Sequence, residues 1–312
     1  TAGKDVVSLL PETGINISDI PDKYEENGFA ERTRTRAYVK IQDGCNNFCS
    51  YCLIPYVRGR SRSRAIGSVV AEVKNRSADV KEIVLTGIDI SSYGKDIGCS
   101  LKTLAESLSD EDVRIRFGSF EVGVIDEELL NVLTNMKKFC PHFHLSLQSG
   151  SDVVLKSMNR RYTTDQYFEK VGLIRKYFPL AGITTDVIVG FPTESDAEFA
   201  LSCDFIRRVG FSDVHCFPYS PRKGTVAFKK YKPLDARIID ERMRAMLDIK
   251  KNLKRDFLEK NVGVYHEVLF EEKDGEYQCG YTENYLKFYA ADAVNDEIRK
   301  IAAKQLFCDG LK

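Results

Sequence analysis

The 312-residue sequence lacks long apolar runs, a recognisable secretory signal and a net charge. A membrane-spanning helix needs about 20 consecutive apolar residues, so the first absence excludes such helices, and without a signal we expect a cytoplasmic location. The 46 basic residues equal the 46 acidic residues in number, so the total charge does not indicate an acidic partner. With 43% hydrophobic residues, the chain can form one large and one small domain, as in a soluble protein.

The cysteine pattern does not indicate a disulfide framework either. Nine cysteines is an odd number, and six are scattered without a common spacing: Cys99, Cys140, Cys203, Cys216, Cys279 and Cys308. Cysteines distributed in this way are typical of a reducing compartment. The other three cysteines form a separate motif.

This motif places Cys45, Cys49 and Cys52 at the spacing C-x3-C-x2-C, directly after the strand-like run 38–42. Three thiolates this close can bind one [4Fe–4S] cluster and leave its fourth iron open to a substrate or cofactor. The alternatives are a structural zinc site without its fourth ligand, or cysteines that share no role. Zinc sites usually pair two knuckles, and the sequence has no second one, so the spacing favours an iron–sulfur cluster.

Positive charge is concentrated around this motif. Residues 32–64 contain eight basic residues and one acidic residue, Asp43. The densest part consists of four alternating arginines: Arg58, Arg60, Arg62 and Arg64. Guanidinium groups form bidentate hydrogen bonds with phosphate, so these arginines are candidates for binding a phosphate-bearing substrate such as RNA. They could equally form a solvated face or pair with carboxylates of the same chain.

Strand-like and helical segments alternate from residue 36 onward. Strand patterns cover 38–42, 82–86, 114–120, 143–147, 183–189 and 213–217. Helical patterns cover 68–77, 101–108, 126–136, 165–177 and 195–209, and Asp126 is the expected N-cap of the third. This alternation predicts βαβ units, a parallel sheet and functional loops at the C-terminal ends of the strands. Six such units are too few for a closed eightfold barrel.

The cysteine motif resembles that of the radical S-adenosylmethionine enzymes, which have the same spacing and an aromatic residue before the last cysteine. Tyr51 has that position here. The resemblance implies an α/β fold with a partial (β/α)6 barrel and a [4Fe–4S] cluster on the three cysteines. It further implies that the open iron binds S-adenosylmethionine. An electron donor such as flavodoxin or ferredoxin would supply the electron that cleaves this cofactor to a radical.

Four residues at predicted strand ends are assigned with Tyr51 to cofactor binding: Gly87, Glu121, Gln148 and Ser149. Gly87 would allow the second strand to approach the methionyl amino group closely. Glu121 can accept a hydrogen bond from an ammonium group or a ribose hydroxyl, and Gln148 and Ser149 can bind ribose hydroxyls. Glu121 could instead form a salt bridge with a nearby arginine.

Longer segments resemble one group in this family, the methylthiotransferases. These segments are 45–64, 143–152 and 155–163. Residues 118–121 and 217–225 are most similar to the branch that modifies threonylcarbamoyl-adenosine next to the tRNA anticodon. The resemblance implies addition of a methylthio group to C2 of that adenine, whose C–H bond is not acidic and therefore suits radical chemistry. The alternatives are the branches that act on isopentenyl-adenosine in tRNA or on an aspartate of a ribosomal protein.

The pattern changes after the predicted core at 31–233. A connecting helix is predicted at 234–260, and strands at 265–270, 277–281, 286–290 and, more weakly, 303–308, with a hairpin turn at 273–275. Segment 280–289 resembles the TRAM domain, a small all-β barrel that binds RNA, so 261–312 is assigned to it. Tyr281 and Tyr285 are predicted to stack on RNA bases, although aromatic residues here could equally fill the barrel core.

Residues 1–30 are rich in turns, start without methionine, and are interpreted as a linker or the remnant of a preceding domain. In methylthiotransferases such a domain holds a second [4Fe–4S] cluster, so the resemblance predicts one cluster in this chain. A different class of function is an RNA-binding module in which the cluster is structural.

Overall fold

The computed structural model describes residues 20–26 and 35–312, so most of the segment 1–30 lies outside the described residues. The strands of the first part are β1 (Arg36–Asp43), β2 (Arg62–Ser63), β3 (Glu82–Gly87), β4 (Arg114–Phe117), β5 (Ser119–Phe120), β6 (His142–Leu145), β7 (Gly182–Val189) and β8 (Asp213–Pro218). All six predicted strands of this part are present.

Parallel pairing joins these strands in chain order. β1 pairs with β3 and β3 with β4, and β5 to β8 pair successively, all in parallel. Gly118 separates β4 from β5, and its N–H donates to the carbonyl of Leu85 at 2.8 Å, so β4 and β5 form one interrupted strand between the two sheets. β2 pairs antiparallel with the end of β1. This order confirms the predicted partial (β/α)6 barrel.

The described helices are α1 (Ile54–Val57), α2 (Ile66–Ser77), α3 (Leu101–Ser107), α4 (Glu127–Asn135), α5 (Asp152–Ser157), α6 (Thr164–Tyr177), α7 (Asp196–Val209), α8 (Val226–Lys230) and α9 (Ala236–Asn261). The predicted helices correspond to α2, α3, α4, α6, α7 and α9. The sequence does not predict α1, α5 and α8, because four to six residues are too few to show a helical period. None of the described helices is long and apolar enough to cross a membrane.

Helix α4 shows how the helices hold the sheet. The Asp126 side chain accepts a hydrogen bond from the Leu129 N–H at 2.7 Å, which confirms the predicted N-cap. Leu129 and Leu133 are buried in the same core as Val39 and Ile41 of β1. Each side chain of this size contributes about 1.5–3 kcal/mol when fully buried. The apolar residues of the helices and of the strands thus pack into one common core, and the loops lie at the ends of the strands.

After α9 the chain forms a second sheet. Its strands are β9 (Tyr265–Asp274), β10 (Tyr277–Tyr281), β11 (Lys287–Ala290), β12 (Ile298–Ala302), β13 (Leu306–Phe307) and β14 (Gly310–Leu311). Their order is β12-β9-β10-β11-β14-β13, and every pair is antiparallel except β11 with β14. This small all-β unit, with its own core around Phe257, Val268 and Phe288, confirms the C-terminal part of the predicted fold class.

Two details of the C-terminal prediction need adjustment. The weaker strand predicted near 303–308 is present but short, at Leu306–Phe307, and the strand that pairs with β9, β12 at Ile298–Ala302, was not predicted. The adjacent Arg299 and Lys300 interrupt the apolar alternation in β12 and hide its period. The hairpin turn comes at Gly275 and Glu276, slightly later than predicted, where Gly275 has a φ of 62°. This left-handed conformation favours glycine.

A buried ion network closes the N-terminal end of the barrel. The Glu82 carboxylate is fully buried and lies within 3.1 Å of three guanidinium groups, from Arg36, Arg114 and Arg116. Burial alone would raise the pKa of Glu82, but the three arginines lower it well below its usual range. Glu82 is therefore ionised on β3, and its charge is balanced by cations from the two neighbouring strands, β1 and β4.

The same arginines bind the C-terminal sheet. Arg114 donates to the carbonyl of Glu267 at 3.1 Å, and Arg116 donates to the carbonyl of Glu283 at 3.0 Å. At the start of β7, a Cβ on Gly182 would lie 2.1 Å from the carbonyl oxygen of Asn284. The C-terminal sheet is therefore packed closely against the N-terminal ends of the barrel strands, opposite to the loops that follow them.

Candidate functional site

The three motif cysteines lie in the loop between β1 and α1, at the C-terminal end of the first strand. All three are free, and each is half-buried. The loop begins at Gly44, where φ is 74° and a Cβ would lie 2.0 Å from the carbonyl oxygen of Arg60. Only glycine fits this close approach, which brings the cysteine loop against the arginine segment.

Hydrogen-bond donors point at all three sulfur atoms. The N–H of Asn47 lies 3.4 Å from Sγ of Cys45, and the N–H of Ile54 lies 3.5 Å from Sγ of Cys52. Nη1 of Arg160 lies 3.4 Å from Sγ of Cys49. Donors of this kind stabilise thiolates and help to set the potentials of iron–sulfur clusters.

The chemistry of this donor set fits a [4Fe–4S] cluster, because three thiols on one loop already have N–H donors directed at them. Within residues 20–26 and 35–312, no three or more His, Cys, Asp or Glu side chains are arranged to hold a metal ion as they stand. Burial raises the pKa of Cys45 to about 12 and also raises the pKa of Cys52. Binding of a metal centre to these thiols must therefore release protons.

The last residue of α5 and the two residues after it fix the cysteine loop from one side. The N–H of Ser50 donates to the carbonyl of Met158 at 2.9 Å, and the Ser50 hydroxyl donates to the carbonyl of Ser157 at 2.8 Å. The Asn159 side chain donates to the carbonyl of Phe48 at 2.9 Å. Phe48 and Asn159 both have φ above 45°, which is uncommon outside glycine. Such conformations persist where the surrounding contacts determine them.

Gln42 fixes the loop from the other side, and the sequence did not identify it. Its side-chain nitrogen donates to the carbonyl of Gly44 at 2.8 Å and lies 2.8 Å from the Ser61 hydroxyl. Its side-chain oxygen accepts from the N–H of Asp89 at 2.8 Å. A Cβ on Gly87 would lie 3.0 Å from this glutamine, so the glycine allows the second strand to pack beside it. The buried side-chain amide of Gln42 thus connects the C-terminal ends of β1 and β3.

A first cavity, of about 360 Å³, opens beside the cysteine loop. Its lining includes Tyr51, Cys52, Gln148, Asp186, Phe217 and Arg222. Gln148 has a φ of 68° and exchanges backbone hydrogen bonds with β7, which hold it at the cavity wall. Ser149 is fully buried, and its hydroxyl accepts from the N–H of Ser151 at 3.3 Å. The structure therefore brings Tyr51 and Gln148 together and places Ser149 behind the wall.

Asp186 connects this cavity to a polar row inside the barrel. Its carboxylate lies 3.2 Å from Nε2 of His144, and Nδ1 of His144 lies 3.0 Å from the Thr184 hydroxyl. The same hydroxyl lies 2.9 Å from Nε2 of His142. These residues alternate on β6 and β7, so their side chains share the inner face of the barrel. The sequence did not single out Asp186.

A second cavity, of about 470 Å³, lies on the other side of the loop. Charged side chains of both signs line it, including Asp89, Lys95, Glu121, Asp126, Arg160 and Arg161. Arg160 binds both carboxylate oxygens of Glu121, at 2.7 and 2.8 Å, so Glu121 forms the salt bridge that the sequence left open. Burial raises the pKa of Glu121, although Arg160 opposes this effect.

The arginine segment divides into buried and exposed members. Arg64 is buried and pairs with Glu72 and Glu26, and Arg62 is buried with its guanidinium bound to backbone carbonyls. Arg58 is exposed but donates to Asp43 at 2.6 Å. Arg60 is exposed and lies over the ring of Phe48, with no ion pair among the described residues. Most of the arginines in this segment therefore already have hydrogen-bond or ion-pair partners within the chain.

Tyr281 and Tyr285 lie between the C-terminal sheet and the N-terminal end of the barrel. Their rings stack on each other at 4.9 Å, and Tyr285 also stacks on His142 at 4.5 Å. The guanidinium of Arg36 lies 5.1 Å from the Tyr281 ring, and that of Arg116 lies 4.9 Å from the Tyr285 ring. Phe288 and Tyr289 are buried. These tyrosines and the cysteine loop are at opposite ends of the barrel strands.

Comparison with known proteins identifies the class. Residues 39–206 match the family model of the radical SAM superfamily, and the chain belongs to that family. Membership implies a [4Fe–4S] cluster and S-adenosylmethionine as cofactors. Among solved structures, Escherichia coli coproporphyrinogen III oxidase, a radical SAM enzyme, is similar with a TM-score of 0.54 and 14% identity, over 80% of this chain and 67% of that one. This likeness supports the fold alone.

Curated relatives are closer in sequence. A threonylcarbamoyladenosine tRNA methylthiotransferase of Aquifex aeolicus is 43% identical over 73% of this chain and 56% of its own length. A tRNA-2-methylthio-N(6)-dimethylallyladenosine synthase of Pelotomaculum thermopropionicum is 37% identical over 87% of this chain and 60% of its own length. The chain thus spans a little over half the length of these relatives.

Proposed function

We propose that the protein is part of a radical SAM methylthiotransferase that modifies C2 of threonylcarbamoyl-adenosine next to the tRNA anticodon. The observation that carries this proposal is the 43% identity to the Aquifex aeolicus relative of that name, which extends over 231 residues. The cysteine loop between two cavities supports it, because a cofactor and a modified base need adjoining sites.

Within this proposal, Cys45, Cys49 and Cys52 hold the cluster, and Tyr51 and Gln148 contact S-adenosylmethionine from the first cavity. A bound cluster and cofactor would supply the one-electron chemistry for removing an unactivated hydrogen atom. Glu121 acts from the second cavity, whose carboxylates and guanidinium groups suit a zwitterionic amino acid moiety. Gly87 and Ser149 support these positions by close packing and a buried turn rather than by a direct contact.

The nucleic acid partner that we propose is tRNA, because both relatives are named as enzymes that act on tRNA. Of the four predicted arginines, Arg60 is exposed and has no ion pair within residues 20–26 and 35–312, as a phosphate contact requires, and Arg58 would have to exchange its partner Asp43. Arg62 and Arg64 are buried, so within this proposal they stabilise the arginine loop and contribute to RNA binding only indirectly. Tyr281 and Tyr285 stay predicted RNA contacts. Because Tyr285 stacks on both Tyr281 and His142, a base could stack on Tyr285 only by displacing one of these rings. A small electron-transfer protein reduces the cluster.

A second candidate is the isopentenyl-adenosine substrate. It is favoured by the 37% identity to the Pelotomaculum relative, which covers more of this chain than the Aquifex match does. The two substrates differ in the group on N6 of adenine, so nucleoside composition distinguishes them.

The experiment is mass spectrometry of tRNA nucleosides from cells with and without the full-length protein. We expect the methylthio form of threonylcarbamoyl-adenosine to disappear when the protein is absent. Loss of methylthio-isopentenyl-adenosine instead would support the second candidate. Because the chain has one cysteine triplet, we expect the 312-residue chain alone to cleave S-adenosylmethionine with dithionite but not to complete methylthiolation. A chain that forms no 5′-deoxyadenosine would support an RNA-binding module with a structural cluster.

A further inference from the structure

A second basic segment lies next to the first cavity, after β8. Residues 217–232 contain five basic residues and no acidic residue: Arg222, Lys223, Lys229, Lys230 and Lys232. All five are exposed. We name these five residues the β8 basic surface. It contains one cation more than the arginine segment after the cysteines, over a longer stretch of sequence and with a less regular spacing.

Unlike the arginine segment, the β8 basic surface keeps its charges free. In the part of the chain that the structure describes, none of its five side chains forms an ion pair, whereas Arg58, Arg62 and Arg64 lie close to carboxylates. An exposed cation without a partner loses little when it binds an external anion, because no existing pair must break. Five such cations within eleven residues repel one another, and a polyanion relieves that repulsion.

The position of this surface ties it to the candidate site. Arg222 lines the first cavity together with Cys52. The N–H of Ala227 in α8 donates to the carbonyl of Ser50 at 2.7 Å, so the segment is attached directly to the cysteine loop. The Thr225 hydroxyl accepts from the N–H of Phe228 and caps α8. A polyanion bound here would therefore be held at the mouth of the cavity.

Exposed apolar side chains lie in the same segment as the cations. Phe217, Val226 and Phe228 are 50%, 52% and 45% exposed. Phe217 is also part of the cavity lining. Exposed aromatic rings beside free cations are typical of single-stranded nucleic acid sites, where bases stack on the rings and the phosphates pair with the cations.

We propose that the β8 basic surface binds the phosphate backbone of the substrate RNA and directs an unstacked nucleotide to the mouth of the first cavity, beside the proposed cofactor position. This inference rests on the proposed function for the class of substrate and adds the surface that holds it. An acidic electron-transfer protein would also be attracted by five cations. The exposed rings at the cavity mouth favour RNA, because a base needs a stacking partner there and an acidic protein does not.

The test is RNA binding by the 312-residue chain, measured by fluorescence anisotropy with a labelled anticodon stem-loop at several salt concentrations. In K229Q/K230Q we expect the dissociation constant to rise roughly tenfold at about 0.1 M salt, and the slope of log K against log salt to fall by about 1.4, as for two lost phosphate contacts. The control is K74Q/K81Q, which removes two exposed lysines near the opposite end of the barrel. We expect it to bind like the wild type.

Equal binding by the two double variants, or no RNA binding by the wild type, would overturn the proposal. So would a K229Q/K230Q variant that binds RNA normally but is reduced more slowly by an acidic flavodoxin. Thermal unfolding of each variant shows whether the fold is intact, and R222Q/K223Q provides a second pair if K229Q/K230Q does not fold. The proposed function can fail while this inference holds. That would be the result if the anticodon stem-loop binds through this surface but the tRNA nucleosides do not change when the full-length protein is absent.

Discussion

Nη2 of Arg160 donates to both carboxylate oxygens of Glu121, and Nη1 of the same guanidinium lies 3.4 Å from Sγ of Cys49. One side chain therefore connects a charged cavity to the cysteine loop. Arg160 follows α5 in the chain and reaches Cys49 across 111 positions of sequence. This contact makes Arg160 a positioning residue for the candidate cluster.

Substitution R160A should lower the reduction potential of the reconstituted cluster. Hydrogen bonds to cluster sulfurs help to set the potential, and loss of the donor leaves more negative charge on Cys49. The measurement is a redox titration followed by electron paramagnetic resonance. R161A is the control, because Arg161 is exposed and lines the same cavity but is not in contact with Cys49 or Glu121 among the described contacts. Equal potentials in R160A and the wild type would contradict this role.

The sequence predicted the barrel because each of its signals is local. A buried strand, an amphipathic helix and an N-cap such as Asp126 each extend over a few residues, and the motif C-x3-C-x2-C places three ligands in one loop. Short helices such as α5 leave no such period, and neither does a strand with adjacent charges such as β12.

The contacts around the site depend on residues far apart in sequence, so they were not predictable. Arg62 and Arg64 resemble phosphate ligands in sequence, yet they are buried by partners that the fold supplies. Gln42 and Arg160 showed no special pattern, but each joins two loops. The β8 basic surface had a readable signal, five cations without an acid, which the more regular arginine segment obscured.

The iron content of the chain tests the cluster ligands. After anaerobic reconstitution we expect about four irons per chain, as for one [4Fe–4S] cluster. C45S, C49S and C52S should each lose most of this iron, because each removes a ligand. C308S is the control, since Cys308 is exposed and lies in the C-terminal sheet region. About eight irons in the wild type, or a loss of iron in C308S, would contradict a single three-cysteine site.

The network at the other end of the barrel predicts a large effect on stability. E82Q removes the carboxylate that balances Arg36, Arg114 and Arg116. Breaking a buried ion pair by removing one partner costs about 3–5 kcal/mol of unfolding free energy, because the remaining charge stays buried. Urea unfolding measures this loss. E128Q is the matched control, since the Glu128–Lys102 pair is exposed and its loss should leave the midpoint unchanged. Similar midpoints for E82Q and E128Q would show that the network does not stabilise the docked sheet.

The pH dependence of stability follows from the same carboxylate. Burial opposes ionisation of Glu82, but Arg116, Arg114 and Arg36 lower its pKa well below the ordinary 4.5. A lowered folded-state pKa means that the unfolded chain binds the proton first, so this stabilisation is complete above pH 4.5 and is lost as the pH falls below it. The urea midpoint of the wild type should therefore decrease between pH 5 and pH 3. In E82Q this decrease should be smaller, because glutamine binds no proton. Parallel pH curves for wild type and E82Q would show that other carboxylates cause the acid sensitivity.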